Sequence, residues 1–240
     1  VSDDSPFDRF KQGDATALTQ EQQDGLNIFQ NKGLCVICHE GPQLAHSPVA
    51  GEVDEKIERM AMGDGGVANY DRGFYNIGVR PTADDLGVGG TDPFGNPLSF
   101  TRMAQLGKFV DPVLVPPIDP AERVAVDGAF KVSILRNVEL TGPYFHNGGK
   151  ATLADVIDFY DAGGDFGAAN IDNLDIAIQP LGLTVEERLA LIAFLKSVTD
   201  DRVRFERAPF DHPQLLVPDG HFGSDRSLLL DDNRNAVDGL

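Results

Sequence analysis

The 240-residue chain has only two cysteines, Cys35 and Cys38, so no disulfide framework can brace it and its stability must come from core packing and from whatever those two thiols bind. Positive charge is scarce: 20 Lys and Arg stand against 38 Asp and Glu, a net charge of -18, which argues against nucleic acid or an anionic membrane as partner because phosphate recognition needs clustered cations. A basic protein partner suits such a surface better. No apolar run approaches the ~20 residues that a helix needs to cross a bilayer. The chain begins at Val1 rather than Met and carries no signal-peptide pattern, which fits a processed or partial chain. Helical periodicity is weak from Gly73 to Val115, a Gly- and Pro-rich stretch read as irregular backbone ordered by packing on other elements. Hydrophobic residues make up 41% of the sequence, enough for an ordinary core.

What is present is concentrated in Cys35-Val36-Ile37-Cys38-His39. Two thiols three positions apart, with a histidine directly after the second, form the attachment pattern of a c-type haem: the thiols reach the two vinyl groups and the imidazole reaches the iron. A redox pair or half a zinc site is the alternative, but zinc needs two further soft ligands and no second CxxC exists. Covalent haem attachment implies a periplasmic or extracellular protein.

The sequence around this motif divides into a lead-in segment (1–18), a haem domain (19–200) and an extended tail (201–240). Pro6 is expected to break any early helix. The capping box Thr19-Gln-Glu-Gln22 starts a helix, with Leu26 and Phe29 on its apolar stripe, that ends at Gly33 and delivers the chain to the motif. Residues 54–62 read as a short helix stopped by Gly63, with a turn at Asp64-Gly65-Gly66. Thr152 caps a helix in which Leu153, Val156, Ile157 and Tyr160 share one face, ended by Gly163-Gly164, and a second capping box, Thr184-Val-Glu-Glu187, opens a helix running to about Thr199. A short hairpin in the Gly-rich middle is anticipated without a position. The acidic run Asp231–Asp238 has the spacing of a calcium-loop fragment but lacks the glycine at its sixth place and a closing Glu.

Several ordered motifs carry a resemblance: Ser5-Pro-Phe-Asp-Arg-Phe10, the CVICH motif with Gly41-Pro42, Phe74-Tyr-Asn-Ile-Gly78, Phe130-Lys-Val-Ser-Ile-Leu-Arg-Asn137, Leu140-Thr-Gly-Pro-Tyr-Phe-His-Asn-Gly148 and Ala151–Tyr160. Together they resemble the C-terminal haem domain of bacterial di-haem cytochrome c peroxidases and their MauG-type relatives over about residues 5–200. The resemblance implies an all-α, cytochrome c-like fold with long irregular loops and an extended C-terminal tail. It also implies the electron-relay half of a two-haem protein, whose peroxidatic N-terminal domain this chain does not include. The function expected is therefore mono-haem electron transfer to or from a redox partner protein or a second haem domain, within a larger assembly; the alternative is a peroxidase reducing hydrogen peroxide at this haem.

For the site, His39 is the expected proximal ligand. Counting from Pro143, the position that carries the distal Met in the peroxidases and a ligating Tyr in the MauG-type proteins falls on Tyr160, against the reading of a buried core tyrosine. Met60, Met62 and Met103 are the competing sixth ligands. Arg136 is a candidate to pair with a haem propionate, or else to tie down neighbouring carbonyls. His146 is expected near the haem rather than on the iron, while His46, His212 and His221 read as loop histidines. Asn76 and Asn137 read as turn-holding residues. The resemblance further implies a calcium ion between the two domains, held partly by backbone carbonyls at Thr141 and Pro143, with its side-chain ligand from the other domain.

Overall fold

The computed structural model describes residues 2–45, 56–108 and 118–211, together with the strand residues 217–218, 227–230 and 236–238. The start of the Asp54–Met62 segment, His46, His212, His221 and much of the tail, including most of Asp231–Asp238, lie outside the described residues.

Helix starts follow local chemistry. Helices α2 (Gln20–Gln30), α4 (Leu153–Ala162) and α5 (Val185–Ser197) each open on a full capping box, at Thr19, Thr152 and Thr184, and α4 closes on Gly163 in the left-handed conformation, φ 81°. The expected break at Pro6 is not seen: α1 (Pro6–Lys11) starts there, because Pro at the first helical position lacks only an N–H that would have no partner, and Ser5 and Asp8 form a capping box around it.

These helices build one core. Phe194 of α5 is fully buried, with the rings of Phe7 and Phe29 at 5.4 and 5.1 Å from it. Gly25 is the crossing point of α2 and α5, since a Cβ there would stand 1.9 Å from the Ala190 carbonyl oxygen. Val138, Leu153, Ile157 and Leu183 complete the cluster, and Cys35 and Val36 pack at its edge.

The all-α expectation does not hold, because antiparallel pairs are built into the fold. Residues Ile57–Ala61, expected to be helical, form β1 and pair with β2 (Val67–Asp71) across the turn at Asp64-Gly65-Gly66. A short run with Ile57 and Met60 fits either period, and the partner strand decides: Tyr70 stands opposite Glu58 and Ile57 is buried. β3 (Phe74–Tyr75) pairs with β4 (Phe130–Lys131), a contact between two motifs far apart in sequence. β5 (Val217–Pro218), β6 (Ser227–Leu230) and β7 (Ala236–Asp238) form a third small sheet in the tail.

One further helix, α3 (Phe100–Gln105), interrupts the Gly- and Pro-rich middle. Its cause is distant: the buried Asp71 carboxylate at the end of β2 accepts from the Phe100 and Thr101 N–H groups at 2.9 and 2.8 Å and from the Ser99 and Thr101 hydroxyls, holding the negative charge that a helix N-terminus favours. A helix of four residues, α6 (Asp201–Arg204), follows α5.

Candidate haem site

The attachment motif sits on a tight turn. Leu34 takes φ 56°, a 3₁₀ turn covers Cys35–Ile37, and the Cys38 and His39 N–H groups both donate to the Cys35 carbonyl, at 3.2 and 2.9 Å. Positions 35, 38 and 39 therefore face one side, which is the arrangement that two thioethers and an axial imidazole require. Gly33 admits no side chain: a Cβ would meet the Ile28 carbonyl oxygen at 2.9 Å and the Cys35 sulfur at 3.2 Å.

His39 is prepared as a ligand. Its Nδ1 lies 2.9 Å from the Leu44 carbonyl oxygen, and since a carbonyl only accepts, Nδ1 donates to it and the ring is held in orientation. Burial lowers the pKa of the imidazole, against the opposing pull of the Leu44 and Ser133 carbonyls, so the ring is neutral as metal ligation needs. Burial also pushes the Cys35 thiol up to about 12 and raises Cys38 further still, helped by Asp175. Both are free thiols, not a disulfide.

Tyr160 lies on α4. Burial is the main cause of its raised pKa, and the next causes are Cys35, Cys38 and Asp175, so its hydroxyl lies within electrostatic reach of both attachment thiols. Phe145 and Phe159 flank its ring at 6.2 and 5.1 Å. A competing ligand is close too: Met60 on β1 packs in a second cluster formed by Tyr70, Tyr75, Val126 and Val132, to which Cys38 also belongs. Met62 is buried and bridges to Asp175. Met103 is half-buried on α3, outside these clusters.

The other expected residues make the following contacts. Arg136 directs Nε to the Pro42 carbonyl at 2.9 Å and Nη1 to Asp8 at 2.6 Å, tying the loop beyond His39 to α1. His146 stacks on Phe130, centroids 3.5 Å apart, and pairs with Asp85 at 2.8 Å near the surface. Thr141 and Pro143 are exposed on either side of a cis Gly142-Pro143 bond, and the Thr141 hydroxyl donates to the Val138 carbonyl. Among the described residues no group of three or more His, Cys, Asp or Glu is placed to hold a metal ion. Asn76 and Asn137 do organise turns: Asn76 Oδ1 accepts from the Gly78 N–H, and Asn137, at φ 60°, accepts from the Asp200 N–H.

Asp175 carries no motif or spacing by which it could be found from sequence. It is 2% exposed, its Oδ1 accepts from the Ala177 N–H at 2.8 Å, and its Oδ2 has no partner. Burial raises its pKa. With Met60, Met62, Tyr70, Tyr75 and Asn76 it lines a narrow crevice beside the Cys38 cluster. Two free thiols, a neutral histidine oriented by a backbone carbonyl, a half-buried phenol and an orphaned buried oxygen together fit a covalently held haem.

Comparison with known proteins agrees. No family model matches the chain. A cytochrome-c peroxidase of Denitromonas iodatirespirans is 33% identical over 202 residues, 84% of this chain and 46% of that protein. The methylamine utilization protein MauG of Methylorubrum extorquens is 26% identical over 215 residues, 90% of this chain and 43% of that protein. The crystal structure of a MauG-like protein associated with microbial copper homeostasis superposes with a TM-score of 0.59 at 26% identity, covering 88% of this chain and 52% of that one. The chain thus spans about half the length of the curated relatives it matches, and no helix among the described residues is long and apolar enough to cross a membrane. As a domain-length match, the chain belongs to the di-haem cytochrome c peroxidase/MauG family of haem c proteins.

Proposed function

We propose that this chain is a one-electron relay domain with a single haem c, bound through Cys35 and Cys38, ligated by His39 and Tyr160, and working outside the cytoplasm beside a redox partner or a second haem domain. The observation that carries the reading is Tyr160, a half-buried phenol on a core helix within electrostatic reach of both attachment thiols. Burial opposes its ionisation first, followed by Cys35, Cys38 and Asp175, and a thioether at either cysteine has no proton to lose and so cannot add a negative charge beside the phenol. When bound, the haem supplies one-electron exchange at its iron. The protein's part is to orient His39 through Leu44, to present Tyr160 from α4 and to fix the Pro42 loop through Arg136. A calcium ion bound through the Thr141 and Pro143 carbonyls belongs to the same proposal and would depend on oxygens from a second domain.

The test is the optical and EPR spectrum of the ferric, haem-loaded chain. Wild type is expected to be low-spin, Tyr160→Phe to lose that spectrum and Met60→Leu to keep it. An unchanged spectrum in Tyr160→Phe with a changed one in Met60→Leu would transfer the ligand role to Met60. A high-spin wild type that consumes peroxide rapidly would replace relay with peroxide reduction at this haem.

A further inference from the structure

Two tyrosines outside the ligand set are arranged as a chain. Tyr70 and Tyr75 are 5% and 8% exposed, with ring centroids 5.5 Å apart. Tyr70 donates its hydroxyl hydrogen to the Glu58 carboxylate, which can only accept. The Tyr75 hydroxyl is bonded in turn to that of Tyr70. At one end Tyr75 shares a packed cluster with Cys38; at the other, Glu58 reaches the partly exposed face of the β1–β2 hairpin and pairs with Arg72 at 2.9 Å. Burial first, and for Tyr70 the Glu58 bond second, keeps both phenols neutral, so neither can lose an electron cheaply without also losing its proton. Glu58 stands where that proton would go.

We propose that Tyr75 and Tyr70 form a hole-transfer path between the haem and the β1–β2 hairpin, with Glu58 as its proton acceptor. The proposal rests on haem attachment at Cys35 and Cys38. A one-electron oxidant at the hairpin, strong enough to oxidise a phenol, takes one electron from Tyr70 as the Oη–H bond breaks and the proton moves to Glu58. The neutral Tyr70 radical then takes a hydrogen atom from Tyr75. The Tyr75 radical would regain one electron from an attached ferrous haem, and the proton returns from Glu58 through Tyr70. The sum is one electron moved from haem to oxidant, with every phenol restored.

The experiment uses the haem-loaded chain with a thiol-reactive ruthenium photo-oxidant on Arg59→Cys, a site that is 65% exposed and next to Glu58; the added thiol is free because both native thiols are consumed by the haem. After a flash, ferrous haem oxidation is expected to slow ~tenfold or more in Tyr70→Phe and in Tyr75→Phe, and to slow in Glu58→Gln with a solvent deuterium effect in the parent. The same Tyr70→Phe change should leave the rate unaltered when the label sits at Leu189→Cys on α5. Rates in Tyr70→Phe within twofold of the parent at the hairpin label, or equal slowing from both labels, overturn the path. A chain whose mass shows no attached haem overturns the relay function as well, whereas attached haem with tyrosine-independent rates overturns the path alone.

Discussion

Asp8 and Arg136 meet at 2.6 Å with about 10% of each side chain exposed, and the strength of that pair depends on how little water reaches it. Burial alone would raise the Asp8 pKa, but hydrogen bonds from Ser5 and Arg136 outweigh it and hold the carboxyl below its usual value. A folded-state pKa below the unfolded one gives stability that is present above about pH 4 and lost as pH falls through the folded value. Arg136→Ala is therefore expected to cost about 3–5 kcal/mol in urea unfolding at pH 7, by stranding a buried carboxylate, and less at pH 3. Under the proposed ligation a phenolate favours the ferric state, so Tyr160→Met is expected to raise the midpoint potential by on the order of 0.1 V or more in spectroelectrochemical titration of the haem-loaded chain. The proposed attachment residues were legible because their chemistry is local, set by spacing along five residues. Asp175 and the Arg136 contacts were not, because what defines them is burial against chain far away: Arg136 meets partners 94 and 128 positions distant.

Among the elements, the α2–α5 crossing is set by one missing atom. Replacing a helical Gly by Ala normally gains about 1 kcal/mol, but at Gly25 the added carbon must displace the Ala190 backbone. The steric cost wins, and Gly25→Ala is expected to lower stability by about 1–3 kcal/mol, read as a shifted denaturant midpoint at unchanged slope. The three long helices could be read from their capping boxes and apolar stripes, since each box is complete within four residues. The hairpins could not. β3 and β4 are two residues each and exist because Phe74 meets Lys131 across the fold, and β1 borrows its conformation from Tyr70 and its neighbours. α3 is the same case, a helix seeded by Asp71.

Across the whole molecule, the charge of -18 sets the range over which partners are felt. Electron exchange between the haem-loaded chain and a strongly basic one-electron donor protein is expected to be fast at 10 mM salt and to fall steeply toward 0.3 M, where the Debye length drops to roughly 6 Å. An acidic donor should show the opposite trend in the same stopped-flow measurement. The segment ends also matter at this scale. Asp3 pairs with Arg202 at 2.6 Å, the Asp4 N–H reaches Asp200 at 3.2 Å, and Asn137 accepts from the Asp200 N–H, so residues 3 and 202 are clasped together. Mechanically, a tension applied between the two flanks of the domain loads that clasp first. Until it parts, the pull is carried across a few polar contacts and bypasses the turn at Cys35–His39, which is left unstrained.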